Sequence, residues 1–106
     1  MTDKIVVMVT CGSRAEAKKI ARVVVEARLA ACANVMSSPV ESVYRWKGKV
    51  ESAKEVLVLV KSTRKRFAAL EREIRRLHSY DTPEIIAVPV AEGSRAYLQW
   101  IEESVE

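Results

Sequence analysis

The chain has one histidine, His78, one asparagine, Asn34, and one glutamine, Gln99, among its 106 residues. A lone imidazole cannot supply a nitrogen-rich metal centre within one subunit, and it leaves no catalytic constellation that stands by itself. Only two cysteines occur, Cys11 and Cys32. They do not make a disulfide framework, and we read a reduced, cytoplasmic environment. No apolar stretch approaches the roughly 20 residues that a membrane span needs. Met1-Thr2-Asp3-Lys4 leads directly into the apolar run Ile5 to Val9, so no signal peptide is expected. Repeats, linkers and low-complexity segments are also missing from the pattern. Scarce amides beside abundant Arg and Glu suit tolerance of heat.

What is present fits one domain. Hydrophobic residues make up 49% and charged residues 30%, and the formal charge is +4. The 18 basic residues are interspersed with 14 acidic ones, so the net charge permits nucleic-acid binding without requiring it, and none is expected.

The order of patterns is strand, helix, strand, strand, helix, strand and a short terminal helix. Ile5 to Val9 is a β-branched run of strand length, and Gly12 is expected to end it before Cys11. Ser13 and Glu16 have the spacing of a capping box. Ala17, Ile20, Ala21, Val24, Ala27 and Ala31 then share one helical face, which predicts a helix from about 14 to 31. Residues 33 to 46 favour strand, with Val40, Ser42, Tyr44 and Trp46 on one side and Pro39 at a bulge or edge. Lys47-Gly48-Lys49 reads as a hairpin turn into the apolar run Val56 to Val60. Ser62 or Thr63 is a candidate cap for a second helix bearing Phe67, Leu70, Ile74 and Leu77. His78 to Pro83 forms a loop before the strand Ile85 to Val88, and Ser94 caps a last helix.

This order predicts an α+β, ferredoxin-like β-α-β-β-α-β sandwich with a short C-terminal helix. Residues 5–9, 56–60 and 85–88 are apolar at successive positions, so both faces of those strands call for burial. Two helices cover one face only. The other would expose more apolar surface than a monomer tolerates, which predicts a homo-oligomer.

Four segments in series carry a family resemblance. They are Arg28-Leu29-Ala30-Ala31-Cys32-Ala33-Asn34, Tyr44-Arg45-Trp46-Lys47-Gly48-Lys49-Val50-Glu51, His78-Ser79-Tyr80-Asp81-Thr82-Pro83-Glu84-Ile85 and Tyr97-Leu98-Gln99-Trp100-Ile101. Together they resemble the CutA family of divalent-cation tolerance proteins. The resemblance implies a ferredoxin-like subunit in a tight homotrimer, a link to tolerance of copper and other divalent metals, and no established catalysis. It further implies an intersubunit ligand cleft near Cys32, Tyr44, Trp46, Lys61, Tyr80 and Trp100. Ser79 stands where the family has Pro. Val9 stands where some members carry a Cys proposed as a copper ligand, and Cys11 lies two residues on.

For metal the candidates are His78, Asp81, Glu84 and Cys11. Imidazole with carboxylates suits Cu(II) or another divalent cation, bound weakly or shared between subunits, and no cofactor is required. The same residues also have plain structural readings. His78 would end a helix, Asp81 would serve a turn and Glu84 a strand start. Cys32 reads as a small buried hydrophobe. Cys11 lies before a helix N-terminus, which predicts a lowered thiol pKa. The leading expectation is a metal-tolerance trimer, with a further protein as a possible partner. The alternative is a PII-like regulatory trimer with a small ligand in its clefts, although the hairpin at Trp46–Val50 is short for a PII target loop.

Overall fold

The computed structural model describes residues 2–106. Eight elements of regular structure are arranged as β1 (Lys4–Cys11), α1 (Arg14–Glu26), β2 (Cys32–Val35), β3 (Val40–Trp46), β4 (Lys49–Thr63), α2 (Phe67–Leu77), β5 (Ile85–Pro89) and α3 (Arg95–Ser104). A short 3-10 turn, Arg64–Arg66, leads into α2.

Every strand pair is antiparallel, and the strands lie in the order β2-β4-β1-β5. The remaining strand, β3, pairs with the first half of β4. β4 is 15 residues long because one half holds the sheet and the other forms this hairpin. The hairpin stretches the molecule to 43 Å along one axis against 25 Å along the others. Lys47 and Gly48, both at positive φ (51° and 81°), close it as a two-residue turn whose twist suits the flanking strands.

The register sorts side chains by face. Ile5, Val7, Val9 and Cys11 of β1 and Val58 and Val60 of β4 are at most 3% exposed. They meet Ala17, Ile20 and Val24 of α1 and Leu70 and Ile74 of α2 in one core. β1 continues through Cys11, which pairs with Val56. Gly12 therefore does not stop the strand before Cys11, and Cys11 shares the core face with Val9.

The boundaries differ from the sequence pattern in three places, each for a local reason. α1 ends at Glu26 rather than near residue 31. Arg28 takes a left-handed conformation (φ 60°), and the amides of Arg28 and Leu29 donate to the carbonyls of Val25 and Val24. That is the Schellman ending, with Arg where Gly is usual. Arg28 is held there because its guanidinium donates to the carbonyls of Glu103 (2.8 Å) and Ser104 (3.3 Å) at the end of α3. The expected strand 33–46 is two strands, separated by residues 36–39 around Pro39. Ser62 does not cap α2. It is fully buried, and its hydroxyl donates to the Leu29 carbonyl at 2.6 Å. Thr63 precedes the 3-10 turn without a side-chain cap bond.

The other sheet face is covered only in part. Lys4 reaches Glu102 of α3 at 2.7 Å, and Ile101 is buried there. Further along, Met8, Leu57 and Leu59 are half-buried, while Ile86 and Val88 are 51% and 44% exposed.

The two types of buried contact separate on denaturation. Ile20→Ala should cost about 2–5 kcal/mol through the cavity it leaves. Ser62→Ala should cost about 1–3 kcal/mol, because the buried Leu29 carbonyl loses its donor. Urea unfolding followed by circular dichroism measures both.

Candidate functional site

Two groups of candidate side chains meet at one end of the sheet, on opposite faces, and the loop after α2 joins them. α2 stops at His78, whose backbone is extended and whose side chain is fully buried. The amide of Tyr80 donates to His78 Nδ1 at 3.1 Å. The neutral ring then carries its proton on Nε2, which donates to the Thr10 carbonyl at 2.8 Å. Glu16 approaches from the first turn of α1, with its Oε2 at 3.5 Å from Nδ1. Cys11 at the end of β1 completes the group. The ligand atoms of Cys11, Glu16 and His78 all lie within 4.8 Å of one another.

The electrostatics of this group follow from burial. Burial pushes the Cys11 thiol from 9.0 up to about 12, helped by the negative charges of Glu16 and Glu55. A helix N-terminus was expected to lower this pKa, but Cys11 is fully buried and faces carboxylates, and desolvation outweighs the dipole. Glu16 had been assigned by spacing to a capping box. Ser13 Oγ does accept from the Glu16 amide at 3.2 Å, but the Glu16 Oε2 points to the imidazole and has no hydrogen-bond partner among the described residues. The sequence signal was the placement of Glu16 five residues beyond Cys11, and the cap pattern masked it.

On the other face lies an open cleft of about 720 Å³. Thr10, Ser42, Val43, Tyr44, Trp46, Glu55 and residues 80–84 line it. Tyr80 lies over Gly12, where an added Cβ would stand 3.1 Å from the phenol oxygen. The phenol donates to Glu55 Oε2 at 2.9 Å. Burial and this carboxylate raise its pKa to about 12. Tyr44 and Trp46 are each 43% exposed and form an aromatic wall.

The residues expected in one ligand cleft thus fall into two sets within the chain. Tyr44, Trp46 and Tyr80 line the cavity together with Asp81 and Glu84. Lys61 lies six positions along β4 from Glu55, about 20 Å away at strand rise. There it pairs in register with Cys32 and bonds to the side-chain oxygen of Asn34. Cys32 is half-buried rather than a core residue, and it borders Tyr97, whose pKa is raised by burial and further by Cys32. Trp100 stacks with Tyr97 at 5.4 Å between ring centroids. Of the four metal candidates, His78 and Cys11 come together, with Glu16 in addition. Asp81 and Glu84 are exposed on the cleft.

The thiol has a consequence for pH. The folded chain keeps the Cys11 proton up to about 12, whereas an unfolded thiol releases it near 9.0. This contribution is full below the lower value and is lost as pH rises through the interval. Urea midpoints should therefore fall as pH rises from about 9 towards about 12. Cys11→Ser should flatten that fall without removing it, since Tyr80 titrates with the same sign.

Comparison with known proteins agrees with this architecture. Residues 5–104 match the family model described as CutA1 divalent ion tolerance protein. A divalent-cation tolerance protein CutA from Thermus thermophilus is 46% identical over 99 residues, which is 93% of this chain and 95% of that one. Human Protein CutA is 45% identical over 98 residues, covering 92% of this chain and 54% of its own length, so the chain spans about half of that relative. Among solved structures, the periplasmic divalent cation tolerance protein CutA from Archaeoglobus fulgidus superposes with a TM-score of 0.93 at 39% identity, over 97% of this chain and 99% of that one. With a matched family model spanning nearly all of a chain that has this mixed α/β fold, the protein belongs to the CutA1 divalent ion tolerance family.

Proposed function

We propose that the protein serves divalent-cation tolerance in the cytoplasm as a stable homotrimer of ferredoxin-like subunits, binding copper or another divalent cation weakly and catalysing no reaction. The observation that carries this reading is the half-covered sheet. Met8, Leu57, Leu59, Ile86 and Val88 form a contiguous apolar strip on the face that α3 leaves open. A strip of this kind needs cover, and other copies of the chain are the simplest source. The strand order β2-β4-β1-β5, with α1 and α2 on one face, supports the ferredoxin-like assignment. His78, with its imidazole held in one tautomer, supports cation binding. No helix of the described residues is long and apolar enough to cross a membrane. On α2, Arg75 and Arg76 pair with Glu71 and Glu73, which supports the reading that nucleic acid is not a ligand.

The cleft favours a second reading, a PII-like regulatory trimer with a small ligand. It has the volume of a ligand pocket, aromatic walls at Tyr44, Trp46 and Tyr80, and carboxylates at Glu55, Asp81 and Glu84. Its location between subunits would follow from the trimer.

Sedimentation equilibrium tests the assembly. The wild type should give the trimer mass, and Ile86→Asp should give aggregated or unfolded protein because a charge enters a buried face. A wild type at monomer mass would overturn the trimer, and a soluble, folded monomer from Ile86→Asp would overturn the argument that this apolar face needs cover. Calorimetric titration of Cu(II) and Zn(II) on the same samples separates cation binding from a cleft ligand.

A further inference from the structure

We propose that Cys11 Sγ, Glu16 Oε2 and His78 Nδ1 form a three-ligand site within one chain for a borderline-soft divalent transition-metal cation of the zinc class. The inference rests on the reading that this protein binds divalent cations, and it names the atoms that would do so.

Donor chemistry is the first argument. Thiolate, imidazole and carboxylate are the three ligand types of zinc-class ions, and the sulfur and nitrogen exclude hard cations such as Mg(II) and Ca(II). Three protein ligands leave a fourth position open to an external group. Charge is the second. A thiolate and a carboxylate neutralise a divalent ion, so the loaded site brings no net charge into a buried place. Cys11 transfers its thiol proton to solvent as the sulfur–metal bond forms.

Geometry is the third argument. In a tetrahedral site the N···O separation is about 3.3 Å and the S···N separation about 3.5 Å. The Nδ1···Oε2 distance here is 3.5 Å. The widest separation in the group, within 4.8 Å, has to close by about 1 Å to reach tetrahedral spacing. The Nε2–H bond to the Thr10 carbonyl is the outer-shell contact that orients a ligating histidine and leaves Nδ1 as the donor. The Glu16 Oε2 is a buried acceptor with no hydrogen-bond partner among the described residues, and it stands 3.5 Å from the imidazole Nδ1. The side chain of Glu16 is 18% exposed and provides the way in.

Binding also has a cost. The cation takes the Nδ1 lone pair that now accepts from the Tyr80 amide. Losing that bond holds affinity below that of a preformed zinc site. Asp81 and Glu84, exposed on the cleft, lie outside the ligand set.

Co(II) is the probe, titrated into the reduced full-length chain and followed by thiolate-to-cobalt charge-transfer absorption, with Zn(II) added to displace it. The expected result is one Co(II) per chain, a band that disappears on Zn(II) addition, and no band in Cys11→Ser. Glu16→Gln, on the rim of the site and the safer variant for folding, should weaken binding by more than about 10-fold, since even outer-shell losses reach that size. Circular dichroism melts show that each variant is folded. A band that survives Cys11→Ser, or unchanged affinity in Glu16→Gln, overturns this site while cation binding stands. A wild type that takes up no Co(II) or Zn(II) overturns the site, and one that takes up no Cu(II) either overturns the cation-binding reading with it.

Discussion

The antiparallel register between β1 and β4 is the constraint on which the rest depends. It runs from Lys4 opposite Thr63 to Cys11 opposite Val56. Because side chains alternate strictly, this one alignment sends Val7, Val9, Val58 and Val60 to the helices and Met8, Leu57 and Leu59 to the other side. A slip of one residue would exchange the two sets and leave α1 and α2 facing the wrong partners. The same register sets Cys11 at the end of the core and Thr10 beside it at the cleft.

The chemistry collects at that end because the sheet there runs out of apolar cover. The two faces are joined by the loop after α2, which puts His78 on the helix side and Tyr80 on the cleft side. Each buried polar group is held by backbone or by a carboxylate: Nε2 by Thr10, Nδ1 by the Tyr80 amide, the phenol by Glu55. Glu16 Oε2 departs from this pattern, and an unpartnered acceptor in low dielectric is costly unless something compensates it. Gly12 contributes by omission, since a side chain there would press on Tyr80.

Much of this was legible in the residues alone, and the failures lie where a contact spans a long stretch of chain. Alternation in Val40–Trp46 matches a strand period, and the 3.6-residue stripe of Phe67, Leu70, Ile74 and Leu77 identifies α2 because burial on one face imposes the period. Ser94 caps α3 because an N-cap is a local contact, and the Tyr97 amide donates to its hydroxyl at 3.3 Å. The end of α1 was not local. Alanines through Ala31 continue a helical pattern, yet Arg28 turns left-handed to reach carbonyls 75 and 76 residues away. Ser62 has the residue type of a helix cap, but its hydroxyl serves Leu29, 33 residues earlier. Glu16 matched a cap in spacing while its carboxylate answered to a histidine far along the chain.

The sequence by itself determined the element types, the apolar runs of the three central strands and the family. These follow from periodicity, capping and ordered motifs, which act over a few residues. Tertiary structure alone decided which polar groups share a site. It joined Cys11 and His78 to Glu16 and separated them from Asp81 and Glu84, and it divided the aromatic set between two ends of β4. The physical reason is range: a strand pairing can bring together residues far apart in the chain, and whether a thiol or a carboxylate there is buried, partnered or orphaned depends on what packs around it.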